Sequence, residues 1–341
     1  LAAAGATTTA AVPIEVLAKA PAVSISNGLI AAKVYLPDAR NGFYRGTRFD
    51  WAGVIGSLTY RGHDYYVPWF RAMGSEVRDF VFEHGAVIAS PNTAAGGPVE
   101  EFNDEGGALG FARAAPGGVF LKIGVGALRR TDASDYSSFG HYPIVDPGHR
   151  TTTIGPRQLV FTHKLADADS GYGYRYTKTI RLLRDQPIMI IEHELYNSGS
   201  RPIASSVYDH NFLNIDGTGT NAGLALSTPF TLLADRPPSA QFAAIAGRRF
   251  TYQMSLKPDQ TVATGFTGFG AAATDYNFHI VDPNRGAGLR ISANQPLERV
   301  QLWSIQPVMA IEPFVRIHIM PGHSFRWSYR YEFEVPPKAV P

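Results

Sequence analysis

The chain contains no cysteine, which excludes disulfides, thiolate metal sites and a thiol nucleophile, and leaves the redox compartment open. It has no stretch near the roughly 18 consecutive apolar residues that a membrane-spanning helix needs. Charge is sparse: charged residues make up 18% of the 341, and the 31 basic and 29 acidic side chains are spread evenly. No Lys/Arg stripe of the kind that neutralises a phosphate backbone is present, so nucleic acid is not an expected partner. The ten histidines show none of the H-x-H, H-x-x-x-H or H-E-x-x-H spacings that mark a metal site, and no metal is expected. Amphipathic helical periodicity is also missing.

Hydrophobic residues form 45% of the sequence, enough for a large core. Short runs rich in β-branched and aromatic residues recur, separated by Gly, Pro, Asn and Asp, as in antiparallel strands joined by turns. Residues 23–35, 119–128, 172–183, 188–196, 278–280 and 325–335 read this way. In the last run Phe325, Trp327, Tyr329, Tyr331, Phe333 and Val335 alternate with polar residues, the pattern of a half-buried strand. Arg184-Asp185-Gln186-Pro187 predicts a turn closing a hairpin. Residues 89–98, 131–156 and 216–223 are rich in Gly, Pro, Ser or Thr and are expected as rim loops. No spacer divides two cores and no fixed repeat is visible. The expectation is all-β: one large antiparallel β-sandwich spanning residues 14–341. Residues 1–13 are small and uncharged. They resemble the end of a signal peptide with an A-x-A cleavage site and a flexible mature terminus, giving an expectation of a periplasmic or secreted protein; the alternative is a plain Ala/Thr tail.

Two residues stand out. His210 lies in Tyr208-Asp209-His210-Asn211-Phe212-Leu213-Asn214, where polar side chains crowd a segment that a core strand would fill with apolar ones. Extended, it sends His210, Phe212 and Asn214 to one face and Asp209, Asn211 and Leu213 to the other, and both sets are not expected in the core. Either the segment bears a site or it is a strand end bonded to loop backbone. His193, in contrast, alternates with Ile191 and Leu195 and reads as a satisfied core histidine. Glu312 follows four apolar residues and precedes Pro313. A carboxylate there is costly unless paired or used, and desolvation raises its pKa toward the range of a general base near neutrality. A strand-end Glu paired with Arg316 or Arg326 is the other account.

Three segments taken together resemble the aldose 1-epimerase (galactose mutarotase) superfamily. Tyr196-Asn197-Ser198-Gly199, Pro202 and Tyr208 to Asn214 are similar to its strand and turn before the strand bearing a histidine in an (N/D)-H-x-(Y/F)-x-N context. Val300-Gln301-Leu302-Trp303 leading to Ile311-Glu312-Pro313 is similar to the strand bearing its glutamate. Met320-Pro321-Gly322-His323 precedes the final strand where the family has L-x-P-G-E. The resemblance departs at the family's N-H-x-H-G-G-like loop, where this chain reads Asn103-Asp104-Glu105-Gly106-Gly107; that points to another sugar, a sugar derivative or lost catalysis.

The resemblance implies a mutarotase-like supersandwich that interconverts anomers of a free sugar or acts on an oligosaccharide, with His210 as acid, Glu312 as base and no cofactor. It implies substrate contacts from Arg48, Asp50, Asp209, Asn211, Trp303 and Glu105, in a monomer or homodimer. Two other readings stay open: a non-catalytic carbohydrate-binding domain, and a polysaccharide-cleaving enzyme in which Glu100, Glu101 or Glu105 joins Glu312 as the second of two carboxylates about 5 to 10 Å apart.

Overall fold

The computed structural model describes residues 11–104 and 107–335. Apart from one helical turn, Ile14–Leu17, and short 3₁₀ turns, its regular structure is β, with antiparallel strand pairs throughout the described residues except Ala72–Met73, which runs parallel to Ala86–Ala89. Two sheets dominate. A ten-stranded sheet runs, in spatial order, from His149–Ile154 through Gln158–Asp167, Tyr172–Leu182, Ile188–Asn197, Ser324–Glu334, Ala287–Ala293, Asn277–Asp282 and Ala225–Ser227 to Arg249–Tyr252 and Ala243–Ala246. A six-stranded sheet has the order Leu233–Ala234, Val262–Thr267, Arg299–Ile305, Val308–Ile319, Ile203–Phe212, Gly97–Asp104.

Alternation in the sequence sets the faces. Trp327, Tyr329, Tyr331 and Phe333 are buried while Arg326, Ser328 and Arg330 lie on the opposite face of the same strand. The expected hairpin closes with Leu182 opposite Met189, and Asp185 takes the left-handed conformation (φ 55°) that Asp tolerates in tight turns. The inward faces of both large sheets join one hydrophobic core through Phe102, Val207, Ile311, Val315, Tyr329 and Phe333. A second cluster, which includes Phe49, Trp51, Trp69, Val99, Phe212 and Val308, covers the other face of the six-stranded sheet. Because both faces of this sheet are covered, its central strands are buried nearly throughout.

Three expectations change. The 131–156 segment contains two edge strands, the three-residue Ile144–Asp146 and the Thr-rich His149–Ile154, which are too short or too polar to show apolar alternation. The 89–98 segment ends inside the strand Gly97–Asp104, whose carboxylate-bearing sequence GPVEEFND is buried at every position except the half-buried Asn103. At the N-terminus Val12 and Pro13, expected in a flexible tail, pair with Met73 and Ala72; residues 1–10 lie outside the described residues.

Candidate active site

The strands Ile203–Phe212 and Val308–Ile319 run antiparallel with Ile203 opposite Ile319 and Tyr208 opposite Phe314. The same register reappears at Leu213 opposite Met309, where the two residues exchange both backbone bonds, at 2.9 and 3.1 Å. Between these points it sets His210 opposite Glu312. Counting from the Leu213–Met309 rung, this is a non-hydrogen-bonded position, the kind in which facing side chains stand closest. His210 Nε2 lies 3.1 Å from Glu312 Oε1. Their neighbours continue the row across the sheet, with Val99 beside His210 and Gln301 beside Glu312.

His210, Glu312 and Gln301 form the floor of a cleft of about 210 Å³, walled by Trp69, Trp303, Phe139 and Phe212 and bordered by Arg48, Asp79, Thr264 and Arg236. His210 stacks on Phe212 at 3.8 Å between ring centroids and meets Phe49 and Trp303 edge-on. The imidazole is thereby held in one orientation.

Arg48 enters from a loop on the covering layer. Its Nε donates to Glu101 Oε2 at 2.7 Å and an Nη donates to the Tyr208 hydroxyl at 3.1 Å, while the same hydroxyl donates to Glu101. Lys122 Nζ stands 3.8 Å from the other Glu101 oxygen. The guanidinium lies over the rings of Phe49 and Phe139. Burial pushes the Glu101 carboxyl upward, but Arg48 and Lys122 outweigh it and leave the group below its ordinary range.

The His210–Glu312 pair is shifted the other way. Burial raises the Glu312 carboxyl to about 7; Arg48 and Arg299 oppose the shift and Glu101 adds to it. Burial, reinforced by the Arg48 cation, holds the His210 imidazole well below 6.5. Below about pH 7 the Glu312 carboxyl therefore keeps its proton beside a neutral imidazole, and the pair holds a single proton. Such a pair has one partner to give a proton and one to take it.

Of the eight residues expected at the site, His210, Glu312, Arg48 and Trp303 line the cleft together. Glu105 lies outside the described residues. Asp50, Asp209 and Asn211 sit elsewhere: they are buried on the core side of the six-stranded sheet, where they meet the ten-stranded sheet rather than the cleft. The two faces of the His210 segment divide as alternation requires, with Asp209 and Asn211 on the core side and His210 and Phe212 at the cleft, although Tyr208 through Leu213 are all buried. Glu298, not Glu312, is the partner of Arg316. Tyr208, Gln301, Asp79 and Phe139 were missed; Tyr208, two residues before His210, and Gln301, two before Trp303, were within reach of period-2 alternation, whereas Asp79 and Phe139 come from segments that touch the site through tertiary packing alone.

No family model and no curated protein matches the chain by sequence. Its architecture is nonetheless shared with solved structures. A galactose mutarotase-like protein from Lactobacillus casei is 13% identical with a TM-score of 0.54, over 92% of this chain and 100% of that one. A galactose 1-epimerase from Lactobacillus acidophilus is 12% identical with a TM-score of 0.52, over 93% and 95%. A putative aldose 1-epimerase from Escherichia coli K12 is 13% identical with a TM-score of 0.51, over 92% and 99%.

Proposed function

With the fold of the galactose mutarotase-like proteins as premise, we infer that this chain is an aldose 1-epimerase-like enzyme that interconverts the anomers of a free sugar through the open-chain form. The observation that carries this reading is the 3.1 Å contact between His210 and Glu312 on the floor of an aromatic-walled cleft.

Ring opening of an aldose removes a proton from the anomeric hydroxyl and delivers one to the ring oxygen. A pair holding one proton performs both transfers. Passage of that proton from the Glu312 carboxyl to the imidazole leaves carboxylate and imidazolium. Glu312 then accepts the anomeric proton while His210 donates to the ring oxygen, and the C–O bond of the ring breaks as the carbonyl forms. Rotation about the adjacent C–C bond followed by the reverse transfers closes the other anomer, so protons balance and the pair returns to its starting state. Each positioned group contributes about 10² to 10⁴ in rate. The rings of Trp303, Trp69 and Phe139 offer apolar surface to the C–H face of a pyranose, and Arg48 and Gln301 offer donors to its hydroxyls.

A cleaving reaction has less support. Glu101 is committed to Arg48 and Tyr208, and Glu100 lies in the core, so neither stands free as a protonated partner for Glu312.

Anomer-exchange NMR on a panel of aldoses tests the assignment. Exchange faster than the buffer blank, lost in Glu312→Gln, is expected. Saturable sugar binding with no acceleration by the wild-type protein would reduce the chain to a binding module.

A further inference from the structure

The backbone ladder between the His210 and Glu312 strands is broken where the two side chains meet. Pairing stops at Tyr208–Phe314 and resumes at Leu213–Met309. Within the gap the register sets Asp209 opposite Pro313, which has no N–H to give, and Asn211 opposite Ile311. The missing rung is replaced by a side chain. Asn211 Nδ2 donates to the Ile311 carbonyl at 2.9 Å and to the Asp209 carbonyl at 3.1 Å. Asn211 and Ile311 are the residues immediately adjacent to His210 and Glu312, so this amide is the local tie between the strands that hold the pair.

The tie is locked from below. Because both Nδ2 hydrogens are used on carbonyls, Asn211 Oδ1 is an acceptor, and it lies 2.9 Å from the Tyr331 hydroxyl. That hydroxyl also lies 2.5 Å from Asp209 Oδ2. It has one hydrogen and so donates to only one of them. Asn211 Oδ1 carries no hydrogen, so Tyr331 donates to it, and the remaining contact is complete when Asp209 is a neutral carboxylic acid donating to the Tyr331 oxygen. Burial and the neighbouring Glu100 carboxylate both favour that form. The chain of donors runs from Asp209 to Tyr331 to Asn211 to Ile311, entirely on the side of the sheet away from the cleft, and all three side chains are buried.

We propose that Asn211 is a positioning residue that sets the spacing of His210 and Glu312 by bracing their strands, with Tyr331 and a neutral Asp209 fixing its amide. The inference rests on the acid–base reading of the pair, and its test separates the two.

Two measurements on Asn211→Ala, Tyr331→Phe, Asp209→Ala and Asp209→Asn decide it: kcat and KM for anomer exchange, and the pH titration of the His210 ring followed by NMR. Asn211→Ala is expected to lower kcat by about 10²-fold with little change in KM, as a misplacement on the ångström scale does. It should also move the His210 titration toward the ordinary imidazole range as the pair opens to water. Tyr331→Phe should act in the same direction, more weakly, and it carries the test if Asn211→Ala does not fold. Asp209→Asn, a neutral isostere whose amide also donates to Tyr331, should recover most of the rate that Asp209→Ala loses. Reduced thermal stability with kcat and the His210 titration both at wild-type values would overturn the proposal, as would equal losses in Asp209→Asn and Asp209→Ala. If the wild-type protein shows no anomer exchange, the enzymatic reading fails, while the NMR titration still decides whether the brace sets the pair.

Discussion

Glu100 and Glu101 are consecutive residues of one strand that face opposite sides of the six-stranded sheet. Glu100 points into the core, 2.6 Å from His193 Nε2 and in contact with Lys178 Nζ, whereas Glu101 points to the cleft and holds Arg48. The same division recurs on the neighbouring strand, where Asp209 faces the core and His210 the cleft. Two layers of polar chemistry thus lie back to back across one sheet. The lower layer fixes the strands on which the upper one is displayed.

The core layer should be costly to break and cheaper to remove as a whole. Lys178→Met leaves the Glu100 carboxylate with His193 as its remaining basic contact and takes away the cation 3.7 Å from Asp50, and a loss of about 3 to 5 kcal/mol is expected, the usual penalty for stranding one partner of a buried pair. The double variant Glu100→Gln/Lys178→Met removes both charges and should recover part of that loss. Urea unfolding of the single and double variants measures the coupling; additive losses would show that the two groups do not act as a pair.

Glu312→Gln should abolish accelerated anomer exchange, a fall of about 10² to 10⁴-fold, and at the same time stabilise the fold in alkaline buffer. Burial raises the Glu312 carboxyl from 4.5 to about 7. The folded protein therefore binds more protons than the unfolded chain between these pH values, and Glu312 costs stability progressively as pH rises through that window. By pH 8 this cost is on the order of 3 kcal/mol; at pH 4 it is absent. Melting temperatures of wild type and variant should coincide at pH 4 and separate at pH 8, with the variant higher.

The fold was legible because the aromatic and β-branched alternation of 172–183, 188–196 and 325–335 needs no tertiary knowledge to be assigned. His210 and Glu312 were legible for the opposite reason: each is a polar residue where its strand calls for an apolar one. That same signal misled at Asp209 and Asn211, because a sequence pattern reports that a polar side chain is buried and not which side of the sheet buries it. Once alternation put His210 on one face, it put Asp209 and Asn211 on the other; the further step, that the other face is the core, needs the ten-stranded sheet and its Tyr331. Phe139 and Asp79 had no local signal, since they reach the cleft on irregular segments.

The shared proton fixes the sign of the pH dependence. The proposed mechanism needs the pair singly protonated, so kcat/KM should fall as pH rises through about 7, where Glu312 loses the proton, and should hold below that until the His210 imidazole, kept well under 6.5 by burial and Arg48, takes up a second. An enzyme using Glu312 solely as a free carboxylate would show a rate that rises with pH over the same range. Blank-corrected anomer exchange between pH 5 and 9 distinguishes the two.

Arg48 links the charge of the cleft to this profile. Its cation lowers Glu312 against burial and depresses His210, and it also neutralises Glu101 through the 2.7 Å contact. In Arg48→Met the Glu312 carboxyl loses its strongest opposing influence and keeps its proton to higher pH, so the alkaline limb of kcat/KM should move upward. The Glu101 carboxylate is then left with Lys122 at 3.8 Å as its nearest cation, and the fold should weaken by a few kcal/mol, about 3 by analogy with other stranded buried charges. Arg48→Lys keeps the charge but not the fork that reaches Glu101 and Tyr208 together. It should leave the alkaline limb near its wild-type position while raising KM. Measuring both variants separates the electrostatic role from the geometric one: a shift of the limb in Arg48→Lys equal to that in Arg48→Met would mean that placement of the guanidinium, and not its charge, sets the proton affinity of Glu312.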